Sequence, residues 1–314
     1  MGPDPDPIWR WPRDRVASLE RTVLGRYALP FRWRAPLPET RGAPSDRVPD
    51  AYLCSFHKSG RNWVAFTVAN YLRLAFGVST PVNFATVRRF VPDAHPNVAT
   101  DGVERFGFRD RPDIPMLAVS HAPYARGRFP SPVVVLLRDP RAVMVSMHHW
   151  ITRHERNVTG AFVFSGSLLD FTHDRMLGPY ALARWLDSWA GRIGTGRAAA
   201  TTYERWHVDA ERELYLLLRT LGCEPSADLV TRSVSESRFE RMQASEAAVP
   251  SGTGYDPSDP DARHVRRGLP TAWRDETTAE ERASLQRELD RVLTRRTKQL
   301  LDRLGIAWAD PAGR

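Results

Sequence analysis

Lysine is almost missing from this chain. Of 45 basic side chains two are lysines, Lys58 and Lys298, and the rest are arginine. Cysteine is scarce as well. Cys54 and Cys223 stand far apart, with no histidine or second cysteine at metal-ligand spacing, so both read as small buried hydrophobes and no metal is expected. No apolar run approaches the roughly 20 residues that a helix needs to cross a bilayer. The start of the chain lacks the charged and then apolar pattern of a secretory signal. Met1-Gly2 opens like a myristoylation site, but Pro3 follows and Asp6 stands where Ser or Thr is needed. A cytoplasmic location is expected, with no membrane partner.

What remains is an ordinary globular composition, 42% hydrophobic and 26% charged, over 314 residues. That length holds one large domain or two small ones with a proper core. The formal charge of +8 favours an anionic partner. The arginines are scattered rather than gathered in one block, so charge alone does not name that partner. Nucleic acid is not expected.

Residues 1–48 are rich in Pro and Arg and carry one short helical stripe, Val16, Leu19, Val23 and Leu24. They read as an arm that docks on a body spanning 49–310, with a homodimer contact as the alternative. In the body, strand and helix patterns alternate. That predicts an α/β domain with a mostly parallel central sheet. Strands are expected at Ala51–Phe56, Met116–Ser120, Val133–Leu137 and Ala198–Tyr203. Helices are expected at Arg61–Phe76, Pro140–Arg153 and His207–Leu221, the last stopped by Gly222. Asp139 suits the N-cap before Pro140, and Thr278 with Glu281 forms a capping box for a helix running to about Gly305. The stretches 77–115, 154–180 and 244–272 are irregular, and loops that long tend to build sites.

Lys58 lies in His57-Lys58-Ser59-Gly60, between a buried strand and the start of a helix. The first N–H groups of a helix have no intrahelical partner, and the helix dipole favours an anion there. Gly60 would let the backbone approach a ligand closely. Lys58 supplies a compact charge, while Ser59, Arg61 and Asn62 add donors. The Walker pattern is absent, because no glycine lies five residues before Lys58. That omission counts against a P-loop small-molecule kinase. A second constellation is VVVLLRDPRAVMVSMHHW. Arg138 ends a strand there, where open α/β sheets bind ligands, and Ser146 follows eight residues on. A third is HVRRGLPTAWRDETT, in which Arg266-Arg267-Gly268 makes a flexible phosphate clamp.

Together and in this order, the three stretches resemble the PAPS-dependent sulfotransferases over roughly residues 50–305. Lys58-Ser59-Gly60 with Trp63 is similar to their 5′-phosphosulfate loop, PKSGTTW. Arg138 through Ser146 resembles their 3′-phosphate motif, and Arg266-Arg267-Gly268 with Trp273 resembles their RKG…W segment. The resemblance implies a three-layer α/β/α, P-loop-like sulfotransferase fold, with PAPS as donor, PAP as product and a small-molecule acceptor. It implies that Lys58 binds the 5′-phosphate and its bridging oxygen, with Ser59, Gly60, Arg61 and Asn62 on the same phosphate. Trp63 would stack on adenine, with Tyr203, Ser237 and Phe239 nearby. Arg138 and Ser146 would hold the 3′-phosphate with Arg266, Arg267 and Gly268. His121, in AVSHAPY, matches the catalytic histidine of a THLP segment.

The chain departs from that pattern in places. His57 replaces proline, Arg61-Asn62 replace two threonines, and Thr271-Ala272 replace Gly-Asp. No match to the family's C-terminal dimerisation motif is found. The residues themselves suit such chemistry. Sulfuryl transfer resembles phosphoryl transfer and asks for positioning, a cation on the leaving group and a base on the acceptor. Histidine titrates near neutrality, so His121 suits the base. The remaining candidates, His148, His149, His154 and His173, read as structural or acceptor-site residues. The irregular stretches carry Phe84, Phe90, Phe106, Phe108, Phe162, Phe164, Phe171, Met176 and Tyr180. These favour a phenolic or apolar acceptor, with about half of them expected to serve the core; a polysaccharide would need an open polar groove.

Overall fold

The computed structural model describes residues 47–94, 106–154, 164–196, 198–248, 263–306 and 308. The expected arm, with its stripe at Val16–Leu24, lies almost wholly outside them, as does Phe162. Four short strands form one parallel sheet: β1 (Ala51–Ser55), β2 (Leu117–Ser120), β3 (Val133–Leu137) and β4 (Ala198–Thr202), in the order β2-β1-β3-β4. All positions of the first three are buried, as expected of strands covered on both faces. The register sets Cys54 beside Ser120 on one side and Val135 on the other, and Leu137 beside Thr202. Asp93 adds one parallel bridge to Val119 at the β2 edge.

The period of two sorts the strands between two helical layers. Ala51, Leu53, Leu117, Val119, Val134 and Leu136 join one core with α1 (Arg61–Ala75), the short α2 (Val87–Phe90), and residues of the 210–242 region. On the opposite side of the chain's packing lie α3 (Pro140–His149), α4 (Leu168–Thr172) and α5 (Pro179–Ala190). The C-terminal helices α10 (Ala279–Val292) and α11 (Arg295–Arg303) pack against them. Between β4 and α10 the chain forms α6 (Tyr203–Val208), α7 (Ala210–Thr220), α8 (Ala227–Glu236) and α9 (Phe239–Ala247). Among the described residues no helix is long and apolar enough to cross a membrane.

The caps behave as the sequence implies. Asp139 accepts from the Arg141 N–H at 2.9 Å, and Thr278 and Glu281 complete a reciprocal capping box. Three expected helices need correction. The expected helix at 207–221 is broken at Asp209, whose extended backbone and capping carboxylate end α6 and start α7. The one expected at 278–305 breaks at Thr294, which caps α11 by accepting from Thr297 N–H. Helix α3 ends at His149 and passes into a π-helical turn, Trp150–His154. Cys54 is buried as expected, but Cys223 is half-buried. The sequence does not predict helices α2, α4, α5, α8 and α9: α2 and α4 lie in irregular stretches, α5 starts at the end of one, and α9 reaches into another.

Candidate active site

Each strand hands one candidate residue to the same end of the sheet. Lys58 follows β1, His121 follows β2, Arg138 follows β3 and Tyr203 follows β4. The strand order reverses at β1, which has β2 on one side and β3 on the other, so a crevice opens there.

The β1–α1 turn is built for close approach. Lys58 has φ 62°, the one non-glycine residue with positive φ among the described residues, and Gly60 has φ 95°. A side chain at Gly60 would be strained, and its Cβ would stand 2.4 Å from Cδ2 of Tyr203. Glycine is therefore required here by the tyrosine ring, in addition to any ligand. The Gly60 carbonyl accepts from the Trp63 N–H at 3.0 Å, which opens α1. Ser59 is buried.

Arg138 ties the β3 end to this turn. Its Nη1 donates to the Lys58 carbonyl at 2.9 Å, and its guanidinium lies over the Tyr203 ring at 4.3 Å. Trp63 meets Tyr203 at 5.8 Å and His207 at 4.8 Å between ring centroids. Two expected residues, Trp63 and Tyr203, and one unexpected one, His207, thus share an aromatic cluster beside Arg138. Close packing and the Arg138 charge push the His207 pKa down to about 4. Burial holds the Tyr203 hydroxyl above its usual range and also raises Glu204, which accepts from the Asp139 N–H at 3.0 Å.

His121 sits across the crevice. Its Nδ1 lies 2.8 Å from the Ser55 carbonyl, which can only accept, so Nδ1 carries the proton and Nε2 is the basic nitrogen. Burial first, then the charge of Arg61 and the neighbouring His57, hold its pKa well below the ordinary value. The Trp185 indole donates to the His121 carbonyl at 2.9 Å. Phe56, Trp150 and Trp185 are buried close by. These residues form an aromatic wall near His121. Phe90, Phe106, Phe108, Phe164 and Phe171 are buried, which is more than half of the expected set.

The remaining candidates divide. Arg61 faces Asp93 at 3.6 Å, and Asn62 accepts from Arg88 at 2.9 Å, so neither replaces the threonine hydroxyls in kind. Arg61 carries buried Nε and Nη1 atoms that make no hydrogen bond. Ser146 is half-buried on α3, and its carbonyl accepts from the Trp150 N–H. Ser237 is fully buried and its hydroxyl accepts from Asn70 at 2.9 Å. Phe239 packs on Gly268: a Cβ there would stand 2.3 Å from its ring, at φ 68°. Arg266 makes a two-pronged pair with Glu276, which Arg267 also approaches at 3.3 Å. His149 reaches the same carboxylate at 3.6 Å. Behind the clamp, Glu246 accepts from the His264 and Val265 N–H groups and faces His264 Nδ1 at 3.1 Å. His148 lies 3.0 Å from the Gly166 carbonyl, and burial lowers its pKa.

Buried or half-buried arginine nitrogens without hydrogen bonds, on Arg61 and on Arg138 Nε, and a glycine-hinged turn suit a polyanionic nucleotide. Among the described residues no group of three or more His, Cys, Asp or Glu is placed to hold a metal.

Comparison with curated protein sequences finds no match. A mouse sulfotransferase, SULT7A1, complexed with PAP, aligns with TM-score 0.54 and 15% identity over 83% of this chain and 89% of its own. A retinol dehydratase in complex with androsterone and PAP aligns with TM-score 0.57 and 17% identity over 80% and 82%. At such identities they show the shared fold. The sulfotransferase domain model matches residues 48–300, most of the chain, and the chain belongs to that family of enzymes.

Proposed function

We propose that the chain transfers a sulfuryl group from PAPS to a hydroxyl of a small-molecule acceptor. The observation that carries this is the placing of Lys58 and His121 at the ends of the neighbouring strands β1 and β2, with the basic nitrogen of His121 unprotonated. A cation and a base then stand together at the switch point of the sheet.

Each residue has a distinct task. His121 Nε2 accepts the proton of the acceptor hydroxyl as its oxygen bonds to sulfur. Lys58 stabilises the charge that collects on the leaving phosphate oxygen as the old sulfur–oxygen bond breaks. A compact ammonium suits one bridging oxygen better than a planar fork, which explains a lysine in a chain that otherwise uses arginine. Ser59, Gly60, Arg61 and Asn62 surround the 5′-phosphate, with Ser59 and Gly60 contributing backbone N–H groups. Arg138 and Ser146 hold the 3′-phosphate, and Arg266, Arg267 and Gly268 close on it. Trp63, Tyr203 and Phe239 hold the adenine, with Ser237 fixing the wall behind them. A low pKa keeps His121 neutral and able to accept a proton at physiological pH.

Phe56, Trp150 and Trp185 give the acceptor side an aromatic character, which favours a phenolic or apolar hydroxyl compound, for example a natural product. Of the phenylalanines of the irregular stretches, Phe90, Phe106 and Phe108 belong instead to the core beside α1. A homodimer is compatible with this reading.

The test is thermal shift with PAP, ADP and ATP, followed by PAP release from PAPS with a panel of phenols, sterol-like alcohols, aminoglycosides and heparin-type oligosaccharides. Stabilisation by PAP and turnover of the phenols or alcohols are expected. Stabilisation by ATP with magnesium would move the chain to kinase chemistry; turnover of sugars alone would change the acceptor class only. His121→Ala is expected to abolish transfer while leaving PAP affinity nearly unchanged. An active variant would remove His121 as the base.

A further inference from the structure

His57 stands where the motif of the family carries proline, and its ring does something proline would not. It stacks on His121 with centroids 3.8 Å apart and planes at 28°. It also lies nearly parallel to the Trp150 ring, with centroids 5.9 Å apart and planes at 15°. Trp150 is delivered by the π-helical turn after α3, and Lys58 Nζ lies 5.9 Å from the same indole. Three flat rings, His121, His57 and Trp150, therefore run from the end of β2 to the start of that turn.

We propose that His57 is a positioning residue for the transfer reaction, which holds the His121 imidazole face-on and keeps that pair from taking up two protons. This rests on the reading of His121 as the base.

The geometry supplies the reason. The Nδ1 contact with the Ser55 carbonyl fixes one point of the His121 ring. Torsion about the Cα–Cβ and Cβ–Cγ bonds of His121 turns its ring, and the direction of the Nε2 lone pair moves with it. A face-on partner at 3.8 Å blocks that rotation. Two constraints together aim Nε2, and aim matters, since proton transfer needs the acceptor hydroxyl within hydrogen-bond reach. The pair also restricts charge. Two imidazolium rings at stacking distance repel, so a proton on one opposes a proton on the other. Other charges that bear on His121 include Arg61 of α1 and Arg88 of α2, both cationic; Trp185 of α5 and Phe56 contribute no charge. The surroundings thus favour the neutral base, and His57 adds a term that varies with pH.

The test compares His57→Phe with His57→Ala in the full-length enzyme. Phenylalanine keeps a flat ring and removes the titration; alanine removes both. Expected for His57→Ala is a fall in kcat of about 10- to 100-fold, the scale of a misplaced reacting group, with PAP affinity changed less than kcat. His57→Phe is expected to recover most of that loss. Its pH–rate profile should shift its ascending limb to higher pH, because a neighbouring charge that opposes His121 protonation is gone. An NMR titration of the His121 ring in wild type and His57→Phe, with no turnover involved, should show the same upward shift. An unmoved His121 titration in His57→Phe overturns the proposal, and so does wild-type kcat in His57→Ala. Equal losses of PAP affinity and kcat in both variants also overturn it, since they would place His57 in the phosphate loop only. A His121→Ala enzyme that stays active would instead sink the base assignment; a dead one with an unmoved His57→Phe titration sinks this inference alone.

Discussion

The β1–α1 turn and the Arg266–Gly268 clamp both present cations to the same proposed ligand, but they are held in different ways. The turn is fixed by backbone. Lys58 and Gly60 adopt positive φ, Tyr203 packs against Gly60, and Arg138 bonds the Lys58 carbonyl. The clamp is fixed by side-chain charge. Arg266 is paired in two prongs with Glu276, which also faces Arg267 and His149, and Glu246 tethers the backbone N–H groups of His264 and Val265. Anchors of backbone keep their geometry when a ligand arrives, because no interaction need be given up. Anchors of charge must exchange a carboxylate for a phosphate, so the net gain is the difference between two ion pairs. The turn is therefore suited to charge that develops in the transition state, and the clamp to binding that can be lost and regained.

The largest break of this contrast is at Lys58. Lys58→Ala is expected to lower turnover by roughly 100-fold or more, the scale for losing one transition-state donor. Lys58→Arg should also be poor, since a planar fork does not replace a point charge at one bridging oxygen. Near wild-type turnover of the arginine variant, measured by PAP release, would falsify the account of why a lysine stands in this turn.

Next comes Arg138, the residue that joins the turn to the adenine side. Arg138→Ala is expected to weaken PAP by about one to two decades, the equivalent of a charge-assisted pair of roughly 1.5–3 kcal/mol. Adenosine 5′-phosphosulfate, which lacks the 3′-phosphate, should lose much less. Calorimetry with both ligands separates the cases: equal losses would mean that Arg138 acts only through its bond to the Lys58 carbonyl.

How much of this was legible depended on how each feature arises. The strand β1, the turn and α1 follow from local pattern: a buried run, a glycine and a helical stripe. The break at Thr294 had a local signal too, Thr294 with Thr297 three residues on, but the apolar period runs through it with no Gly or Pro to interrupt. Asp209 gave the same sort of signal and was read through for the same reason. The members of the site that the sequence did not offer were brought there by packing. His207 arrives on α6 because Trp63 of α1 lies against it, and Glu276 arrives from beyond the 3-10 turn Ala272–Arg274. Trp150 faces His57 because the π-helical turn adds residues to a helix that periodicity alone would have continued. The phenylalanines were legible as a set and not as lining, since burial decides which face they show.

Glu276 sharpens the contrast more gently. Glu276→Gln removes the charge that competes for Arg266 and Arg267, so PAP affinity should rise by about two- to fivefold, equivalent to roughly 0.4–1 kcal/mol. The same variant should lower the melting temperature, because a buried arginine loses its counter-charge. Calorimetry and a thermal melt measure the two effects on one sample. Weaker PAP binding in a well-folded variant would mean that the glutamate is needed to shape the clamp rather than to occupy it.

The smallest effect is expected at His207. Its pKa is held to about 4 by loss of solvent, with the Arg138 charge acting in the same direction. In the folded chain it therefore stays neutral through a window, from its ordinary 6.5 down to about 4, in which the unfolded chain takes up a proton. The sign follows. Its contribution to stability is present above the upper end of that window and is lost as pH falls through it. A 3′-phosphate placed on Arg138 would offset the field that the guanidinium exerts on His207, and the imidazole should then hold its proton more readily. PAP binding should raise the His207 pKa, and by linkage PAP should bind more tightly as pH falls through the window, apart from the titration of the phosphates themselves. His207→Phe supplies the control for that titration. The pH dependence of PAP affinity should be shallower in the variant than in the wild type, and the His207 ring resonances of the wild type should titrate at higher pH with PAP than without. A His207 titration that PAP leaves unmoved would place the 3′-phosphate away from Arg138 and leave the adenine cluster as the only part of that side of the site in contact with the nucleotide.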